Sequence, residues 1–415
     1  MERMFEVAAG LDVHRDTVVV TVRRRKPSGP DALETRTFET FWDGLEAMAK
    51  WLAEQGVEGL GLESTGVYWH SVVRAIQCAM PKVVIWLVNP AQVKKVPGRK
   101  TDVTDSQWLS KLVMYGLVSP SFLAPPELQE LRKLTRHRTK LTADVARQKN
   151  RILKEIESSG IKLATVCSNV LGRTGRSILD ALIDGSPITA QTIAKLARGS
   201  LRSEVADLHR AVHGTLTPSG LLVLKQLLRR MDDLTNDIAE LECRISTLIE
   251  PMKVEVERLT KIPGFDHVVV AGVLAEIGTD MGPFPSAKHL ASWGGLSPGS
   301  EESAGKSKQA PTRKGNKYIR TLLVQAAVSA SRTKGTFWQS KFRRLLRLGP
   351  KKAIVAIARS LASVVYHLLA EGIDYREPNT IPPPPHRVRS RLASLTSQIA
   401  ALGFKVTITP APQVS

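Results

Sequence analysis

The sequence predicts an α/β layer with a mixed β-sheet at its start, followed by mainly helical regions. In the first 90 residues, short runs rich in β-branched residues alternate with segments of helical spacing, and a polar turn separates the first two runs. Farther along, between residues 224 and 248, apolar residues recur in alternating steps of three and four. At about 100 to 200 residues per domain, a chain of 415 residues has room for two to four domains.

The predicted order of the layer is three strands, a helix, a strand, a helix and a strand. The first two strands form a hairpin around the polar turn His14-Arg15-Asp16. A further helix is expected from Asp102 to Met114, after a basic loop with two prolines. The Ala124-Pro125-Pro126 step then ends the layer near residue 125. The strands are expected at 5–13, 17–22, 35–40, 57–63 and 83–88, and the first two helices at about 45–52 and 68–79.

A long polar helix from about Glu127 to Glu157 and an apolar heptad seam characterise the middle of the chain. The seam predicts a coiled coil within or between chains, and the alternative is one long amphipathic helix that packs on its own domain. Its residues are Leu224, Leu227, Met231, Leu234, Ile238, Leu241, Ile245 and Leu248. We therefore divide the chain into a first domain at 1–125, a helical and coiled-coil region at 126–255, a mainly α-helical domain at 256–375, and a Pro-rich, basic and poorly packed tail at 376–415.

The composition favours a protein that binds a polyanion. The chain has 59 Lys and Arg against 39 Asp and Glu, a net charge of +20 and a pI near 10.0. Basic surfaces of this density attract nucleic-acid phosphates. The chain begins without an apolar signal core, and no stretch approaches the roughly 18 uncharged apolar residues of a membrane span, so we expect a soluble, cytoplasmic protein with no membrane partner.

The cysteines and histidines point away from a disulfide framework or a zinc site. Cys78, Cys167 and Cys243 are far apart without a CxxC pair, and the nine histidines are scattered without an HExxH motif. A metal ion would therefore need carboxylate ligands, which select hard ions such as Mg²⁺, with Mn²⁺ also possible.

Four acidic residues of the first domain are candidate metal ligands. Asp12 lies within the first strand, Glu63 ends the fourth, and Asp102 and Asp105 stand three residues apart at a predicted helix start. An acid inside an apolar strand is costly unless it is paired or bound to a metal. Four carboxylates brought together repel one another, so a divalent cation is the natural compensating charge, and two such ions about 4 Å apart suit phosphoryl transfer. The alternative is that each acid is structural, as a helix-terminal charge, a solvated residue or a turn acid.

A second candidate region is the Gly-, Ser- and Lys-rich segment 297–316, which we expect to be an exposed loop before a helix capped by Asn316. A serine hydroxyl becomes a nucleophile when a base or metal takes its proton and cations stabilise the attacked phosphate. Residues 301–360 hold fifteen Lys and Arg against two Asp and Glu, which favours a salt-sensitive phosphate track. The nearest bases are Lys306, Lys308, Arg313, Lys314, Lys317 and Arg320, and composition alone does not choose among Ser297, Ser300, Ser303 and Ser307.

Motifs in both halves of the chain resemble the IS110-type insertion-sequence transposases, relatives of the Piv invertases. The first half carries Gly10-Leu-Asp-Val-His14, Leu62-Glu-Ser-Thr-Gly66 and Lys100-Thr-Asp-Val-Thr-Asp105. The second half carries Leu290-Ala-Ser-Trp-Gly-Gly-Leu-Ser-Pro298, Glu302-Ser-Ala-Gly-Lys306 and Lys314-Gly-Asn-Lys-Tyr-Ile-Arg-Thr-Leu-Leu323. The resemblance covers about 5–120 and 256–370, and it implies a RuvC-like ribonuclease H fold followed later by a helical serine transposase domain.

The resemblance also implies an activity and its residues. Asp12, Glu63, Asp102 and Asp105 would form a D-E-D-D set that binds magnesium, and Ser303 would attack a DNA phosphate. The protein would exchange strands between donor and target DNA, directed by a non-coding guide RNA. It would act as a homo-oligomer, a dimer or a tetramer, in which different protomers complete one site. The sequence contains no zinc finger or other base-reading motif, which suits such a guide.

Three other functions stay open from the sequence. A metal-dependent DNA junction nuclease would use only the carboxylates, and the serine segment would merely bind DNA. A site-specific invertase would recombine DNA without a guide RNA. A non-catalytic nucleic-acid scaffold would keep its acids for structure, so its binding would be indifferent to Asp12→Asn and to magnesium.

Overall fold

The computed structural model describes residues 4–64, 66–93, 104–303, 306–312, 315–378 and 385–404, and between 300 and 311 it describes the backbone. The chain folds as two compact units, Met1–Pro125 and Pro126–Ser415. The first unit contains a five-stranded sheet, and the described part of the second is mostly helical. The predicted mixed sheet and helical remainder are therefore confirmed.

The sheet of the first unit has the strand order β3-β2-β1-β4-β5. Its strands are β1 (Val7–Val13), β2 (Thr17–Arg24), β3 (Ala32–Glu39), β4 (Gly59–Glu63) and β5 (Val84–Val88). β2 is antiparallel to both β1 and β3, whereas β1, β4 and β5 are parallel neighbours. Strands β1, β3, β4 and β5 therefore point the same way, and their carboxyl ends lie at one edge of the sheet.

Helices cover both faces of this sheet. They are α1 (Trp42–Glu54), α2 (Trp69–Ala79), α3 (Pro90–Val93) and α4 (Asp105–Met114). Because side chains alternate along a strand, Ala9 and Leu11 of β1 join the core formed with α1 and α2, while Ala8 joins the core formed with α4. β1 and β4 are buried on both sides for this reason, as the apolar runs of the sequence indicated, whereas β3 at the edge of the sheet is mostly exposed.

The second unit is built around long helices. They are α5 (Pro126–Ser158), α6 (Leu163–Val166), α7 (Arg173–Ile183), α8 (Ala190–Leu196), α9 (Val205–Ala211), α10 (Pro218–Ile249), α11 (Lys253–Thr260), α12 (His267–Ile277), α13 (Ala287–Trp293), α14 (Lys317–Arg332), α15 (Phe337–Leu345), α16 (Pro350–Glu371) and α17 (Pro385–Ala401). Short 3₁₀ segments lie at Gly199–Ser203, Glu250–Met252 and Leu346–Leu348. Strands β6 (Pro298–Ser303) and β7 (Lys306–Thr312) form an antiparallel pair.

The heptad seam lies on α10, which packs against α5 of the same chain. The amide of Gln148 donates to the carbonyl oxygen of Leu227 at 2.9 Å, and Arg138 forms an ion pair with Glu242, so the two helices run antiparallel. The seam residue Leu224 is buried in one cluster with Ile152 of α5. The helix is thus present and uses its seam within the chain, while a coiled coil between chains stays a prediction.

Three features differ from the sequence-based expectations. Residues 298–303 and 306–312, expected as part of a loop, form the paired strands β6 and β7, and part of the tail forms the helix α17, whose Leu392 and Leu395 remain exposed. α16 is long and apolar enough by composition to cross a membrane, although no such stretch was expected. Its Ile357 and Leu361 are fully buried and the helix packs against α13 and α14, as in the core helix of a folded domain.

Candidate active site

Two of the predicted acidic residues lie side by side at the carboxyl edge of the sheet. β1 and β4 pair in parallel as far as Leu11 opposite Leu62, and the next residues are Asp12 and Glu63. Neighbouring strands are about 4.8 Å apart, so these two residues occupy adjacent positions. Glu63 is itself opposite Val88 of β5.

Asp12 and Glu63 also share one face of the sheet. A Cβ atom at Gly10 would lie 2.1 Å from the carbonyl oxygen of Ser106, and one at Gly61 would lie 2.4 Å from Val113. Both glycines therefore face α4, which packs directly on their backbone. Asp12 and Glu63 follow two residues later on their strands, and the period of two places them on the same face.

The start of α4 brings a third acid to this edge. The carbonyl oxygen of Met114, at the end of α4, accepts a hydrogen bond from the backbone N–H of Met4 at 2.9 Å, at the opposite edge of the sheet. α4 consequently runs antiparallel to β1, and its first residue, Asp105, lies at the edge that holds Asp12. Near this end the hydroxyl oxygens of Ser106 and Thr21 are 2.8 Å apart and buried.

The predicted helix start at Asp102 is wrong. Thr104 has extended backbone angles, and its hydroxyl accepts a hydrogen bond from the N–H of Gln107 at 3.4 Å, so it caps a helix that begins at Asp105. Asp102 itself lies outside the described residues. Asp105 is exposed in the first turn of α4, where the helix dipole favours a negative charge.

The acids at the carboxyl edge offer a donor set that suits a hard cation. Asp12 is 32% exposed, and its Oδ2 lies 3.2 Å from Nε2 of His14, so the carboxylate is open to an incoming ion or phosphate. Carboxylate oxygens are the ligands that Mg²⁺ takes in proteins. Within the described part of the chain, no three acidic, histidine or cysteine side chains are close enough together to hold a metal.

The sequence-based candidates omitted an HxxxH pair, formed by His209 in the last turn of α9 and His213, two residues after the helix ends. Their rings meet edge to face with centroids 4.8 Å apart. Two histidines at this spacing form half of a zinc site. They have no third ligand among the residues that the structure describes.

Ser303 is the last residue of β6, opposite Lys306 at the closed end of the β6–β7 hairpin. The next described pairs along the ladder are Glu302 with Ser307 and Glu301 with Lys308. Two basic candidates, Lys306 and Lys308, thus belong to the strand that pairs with the one carrying Ser303. Arg313 and Lys314 lie outside the described residues, and Lys317 and Arg320 lie in the first turn of α14.

The segment after the hairpin is anchored by Asn316, the N-cap of α14. Its side-chain oxygen accepts from the N–H groups of Tyr318 at 2.9 Å and Ile319 at 3.3 Å, as predicted for a cap. Its amide donates to Oε2 of Glu276 at 2.6 Å, and its backbone N–H donates to the carbonyl oxygen of Trp293 at 2.9 Å. The helix start is therefore tied to both α12 and α13.

Glu276 is the centre of a buried charge network. It is 1% exposed and accepts two hydrogen bonds from Arg136, each 2.7 Å long. The Arg136 guanidinium also lies over the ring of Tyr318, 4.4 Å from its centroid. This network was not predicted, although a single glutamate in the apolar run Val268 to Ile277 is a signal of a paired buried charge.

A second arginine, Arg132, belongs to the same network, with its Nε 3.7 Å from Oε2 of Glu276, and the pKa values of the two arginines shift in opposite directions. Burial lowers the pKa of Arg132 to about 10, while the charge of Glu276 acts in the opposite direction. Burial also acts to lower the pKa of Arg136, but its hydrogen bonds to Glu276 and the charge there outweigh this effect and raise the pKa. Both arginines carry a positive charge at neutral pH, so Glu276 is compensated.

Two family models match separate parts of the chain. Residues 9–158 match a DEDD transposase model of the IS110 type, and residues 256–343 match the transposase IS116/IS110/IS902 family. The first match extends to the end of α5, beyond residues 5–120, where the sequence motifs had indicated a resemblance.

Individual proteins give a similar result. A putative transposase y4pF/y4sB of Sinorhizobium fredii is 33% identical over 150 residues, which cover 33% of this chain and 38% of the relative. A probable family 20 transposase of Pseudomonas aeruginosa is 27% identical over 162 residues, covering 36% and 47% respectively. The match therefore spans less than half of either relative.

One solved structure, that of Thermus thermophilus RuvC, is similar at 14% identity and a TM-score of 0.22, over 28% of this chain and 99% of that one. The two family models and the curated relatives agree on one assignment. Two parts of the chain, 9–158 and 256–343, therefore match the domains of IS110-type transposases.

Proposed function

We propose that this protein is a DNA recombinase that cleaves and exchanges strands with a carboxylate site in the first unit and a serine nucleophile in the second. The observation that carries the proposal is that Asp12 and Glu63 occupy adjacent positions on one face of the sheet, and that Asp105 begins the helix that packs on this face. We further propose a RuvC-like ribonuclease H fold for the first unit, supported by its strand order 3-2-1-4-5.

The carboxylates have a defined task in this proposal. Asp12, Glu63 and Asp105, together with Asp102, would hold Mg²⁺ or Mn²⁺, which supplies positive charge to a scissile phosphate when bound. The protein's part is to keep the acids in place. α4 packs on Gly10 and Gly61, and the buried contact between Ser106 and Thr21 fixes the end of α4 that carries Asp105.

The covalent step belongs to Ser303. Its Oγ attacks the phosphorus of a DNA phosphodiester, and an O–P bond forms while the bond from phosphorus to one deoxyribose oxygen breaks. The serine proton is lost to solvent or a base, and the leaving deoxyribose oxygen gains a proton. Reversal onto a hydroxyl of another strand restores the serine and completes the exchange. The bases Lys306, Lys308, Lys317 and Arg320 would stabilise the charge on the phosphate oxygens.

The partners follow from the family and the charge. DNA is the substrate, and a non-coding RNA would pair with donor and target DNA and so choose the sites, because basic surfaces read backbone more than base sequence. We expect a cytoplasmic homo-oligomer, a dimer or a tetramer.

The experiment is an adduct assay with the full chain, supercoiled donor and target DNA, Mg²⁺ and RNA transcribed from the region beside the gene. We expect a denaturation-resistant protein–DNA adduct, mapped by mass spectrometry to Ser303, and recombinant junctions detected by sequencing. Ser303→Ala is expected to abolish both, whereas Ser300→Ala and Ser307→Ala, on the same hairpin, retain them.

Other outcomes of the same experiment would identify the alternative functions. Strand cleavage by Ser303→Ala without an adduct would identify a metal-dependent nuclease and contradict the serine mechanism. Recombination of equal efficiency without RNA would identify an invertase-like enzyme. Binding without cleavage, unchanged by Asp12→Asn or by chelation of magnesium, would identify a scaffold.

A further inference from the structure

Three exposed aromatic side chains lie at the carboxyl edge of the sheet in the first unit. Phe41 is 73% exposed and Trp42 is 46% exposed, and both lie within three residues of the end of β3, at the start of α1. Tyr68 is 44% exposed and follows β4. Because β3 and β4 end at the edge where β1 carries Asp12, the aromatic residues and the carboxylates belong to the same edge. We call Phe41, Trp42 and Tyr68 the aromatic edge.

The turn between β1 and β2 connects this aromatic edge with the carboxylates. The hydroxyl of Thr40, next to Phe41, donates to the carbonyl oxygen of Arg15 at 2.6 Å, and the N–H of Thr40 donates to that of Asp16 at 3.0 Å. On the other side of the turn, Nε2 of His14 lies 3.2 Å from Oδ2 of Asp12. One short turn thus contacts both the candidate metal ligand and the segment that carries Phe41.

Arg15 gives the same turn an exposed guanidinium. Its side chain is 75% exposed and donates to the carboxylate of Asp16 at 2.9 Å, and this hydrogen bond and the charge of Asp16 raise the pKa of the guanidinium. The turn therefore presents an arginine side chain to solvent, next to the contact with Thr40 that precedes Phe41.

Net charge does not explain how the first unit would hold a polyanion. Residues 1–125 contain 15 Lys and Arg against 14 Asp and Glu, so almost all of the excess of +20 belongs to the second unit. Stacking of a base on an aromatic ring does not depend on net charge and accepts any base, since every base has a π face. Exposed rings at a near-neutral edge suit this type of binding.

We propose that the aromatic edge binds unpaired nucleotides of a single strand, whose bases stack on Phe41 and Tyr68 while a backbone phosphate lies by Arg15. The indole of Trp42, held by the 2.8 Å hydrogen bond from its Nε1 to Glu46, borders the same surface. Bases in a duplex are already stacked, so this edge selects strand segments that have opened beside the scissile phosphate. The inference rests on the proposed function, because it takes the substrate of the carboxylate edge to be nucleic acid.

The test measures binding of the full chain to a 2-aminopurine-labelled single-stranded oligonucleotide and to the duplex of the same sequence. For the double variant Phe41→Ala/Tyr68→Ala we expect single-strand Kd to rise about fivefold or more, with loss of 2-aminopurine quenching. Duplex Kd and the salt dependence of binding should stay unchanged, because stacking releases no counterions. Phe41→Tyr keeps a ring and should retain wild-type affinity.

Phe404→Ala is the matched control, because Phe404 is an aromatic residue of the second unit that is 68% exposed. Unchanged single-strand affinity in the double variant, or an equal loss for single strand and duplex, would overturn the proposal. A changed sedimentation coefficient of the double variant would overturn it as well, since the edge would then be a protein interface. Binding needs no catalysis, so single-strand stacking in a chain that fails to recombine DNA would overturn the proposed function and leave this inference standing.

Discussion

Arg136 on α5 and Glu276 on α12 form a bidentate ion pair with two N–O distances of 2.7 Å, in a region where the glutamate is almost fully buried. The same carboxylate accepts a hydrogen bond from the side-chain amide of Asn316, the N-cap of α14, which follows the β6–β7 hairpin. The buried carboxylate of Glu276 therefore links α5, α12 and the start of α14.

Glu276→Ala should strongly destabilise the second unit. Removing one member of a buried pair leaves the other charge without compensation, at a cost of about 3–5 kcal/mol in the free energy of unfolding. Urea titration followed by circular dichroism measures this loss. The matched control is Arg244→Ala, which breaks the exposed pair with Glu130 and should cost no more than about 1 kcal/mol. An equal loss of unfolding free energy in the two variants would show that the buried network stabilises the unit no more than an exposed ion pair does.

Gly10→Ala should disrupt the carboxylate edge without removing any acid. The new Cβ would lie 2.1 Å from a backbone carbonyl oxygen of α4, so the helix has to move away from β1. We expect a lower melting temperature and recombination reduced by about 100-fold, because catalytic groups tolerate displacements of only about 1 Å. Wild-type recombination with Gly10→Ala would mean that the close packing of α4 is dispensable.

Asp12→Asn, Glu63→Gln and Asp105→Asn should each reduce recombination by about 100-fold or more and weaken Mn²⁺ binding, measured by calorimetry. Loss of a carboxylate charge lowers the affinity for a hard cation while the side-chain volume is preserved. Oligomeric state, measured by light scattering, should stay unchanged. The control is Glu34→Gln, an exposed acid of β3 that pairs with Arg36. Normal recombination in any of the three would remove that residue from the site.

Lys317→Glu should weaken nucleic-acid binding and lower the slope of log Kobs against log salt by about one unit. Lys317 is exposed in the first turn of α14, where the helix dipole favours a negative charge, so the substitution does not threaten the helix. Fluorescence anisotropy over a range of salt concentrations measures the slope. A slope equal to that of the wild type would exclude Lys317 from the phosphate track.

Cys167 should be the slowest of the three thiols to react. Burial raises its pKa, which lowers the thiolate fraction at any given pH, whereas Cys78 and Cys243 are exposed. A titration of the native chain with a disulfide reagent at pH 8 should therefore show two fast thiols and a third after denaturation. Cys167→Ser should leave both fast reactions intact. Three equally fast reactions would contradict the packing of α6 and its neighbours.

The local patterns of the sequence were sufficient for most of the first unit. Alternating β-branched runs predicted the order of strands and helices. In the second unit, Asn316 was predicted correctly as a helix cap, and the polar sequence of α5 predicted a long helix. These features depend on residues close together in the chain. The hairpin of β6 and β7 was missed because segment 297–316 is rich in Gly, Ser and Lys, which are typical of loops, and strand pairing there is decided by the opposite strand.

The sequence by itself determined the resemblance to IS110-type transposases, the charge that favours nucleic acid and the acids and serines that are candidates for catalysis, because these are properties of composition and of short motifs. Only the tertiary structure decided that Asp12 and Glu63 are neighbours, that α4 carries Asp105 to the same edge, and that Phe41 and Tyr68 follow strands that end at this edge. Those relations depend on parallel strand register and on which helix covers which face. Register and packing arise from contacts between residues far apart in the chain, which local periodicity does not encode.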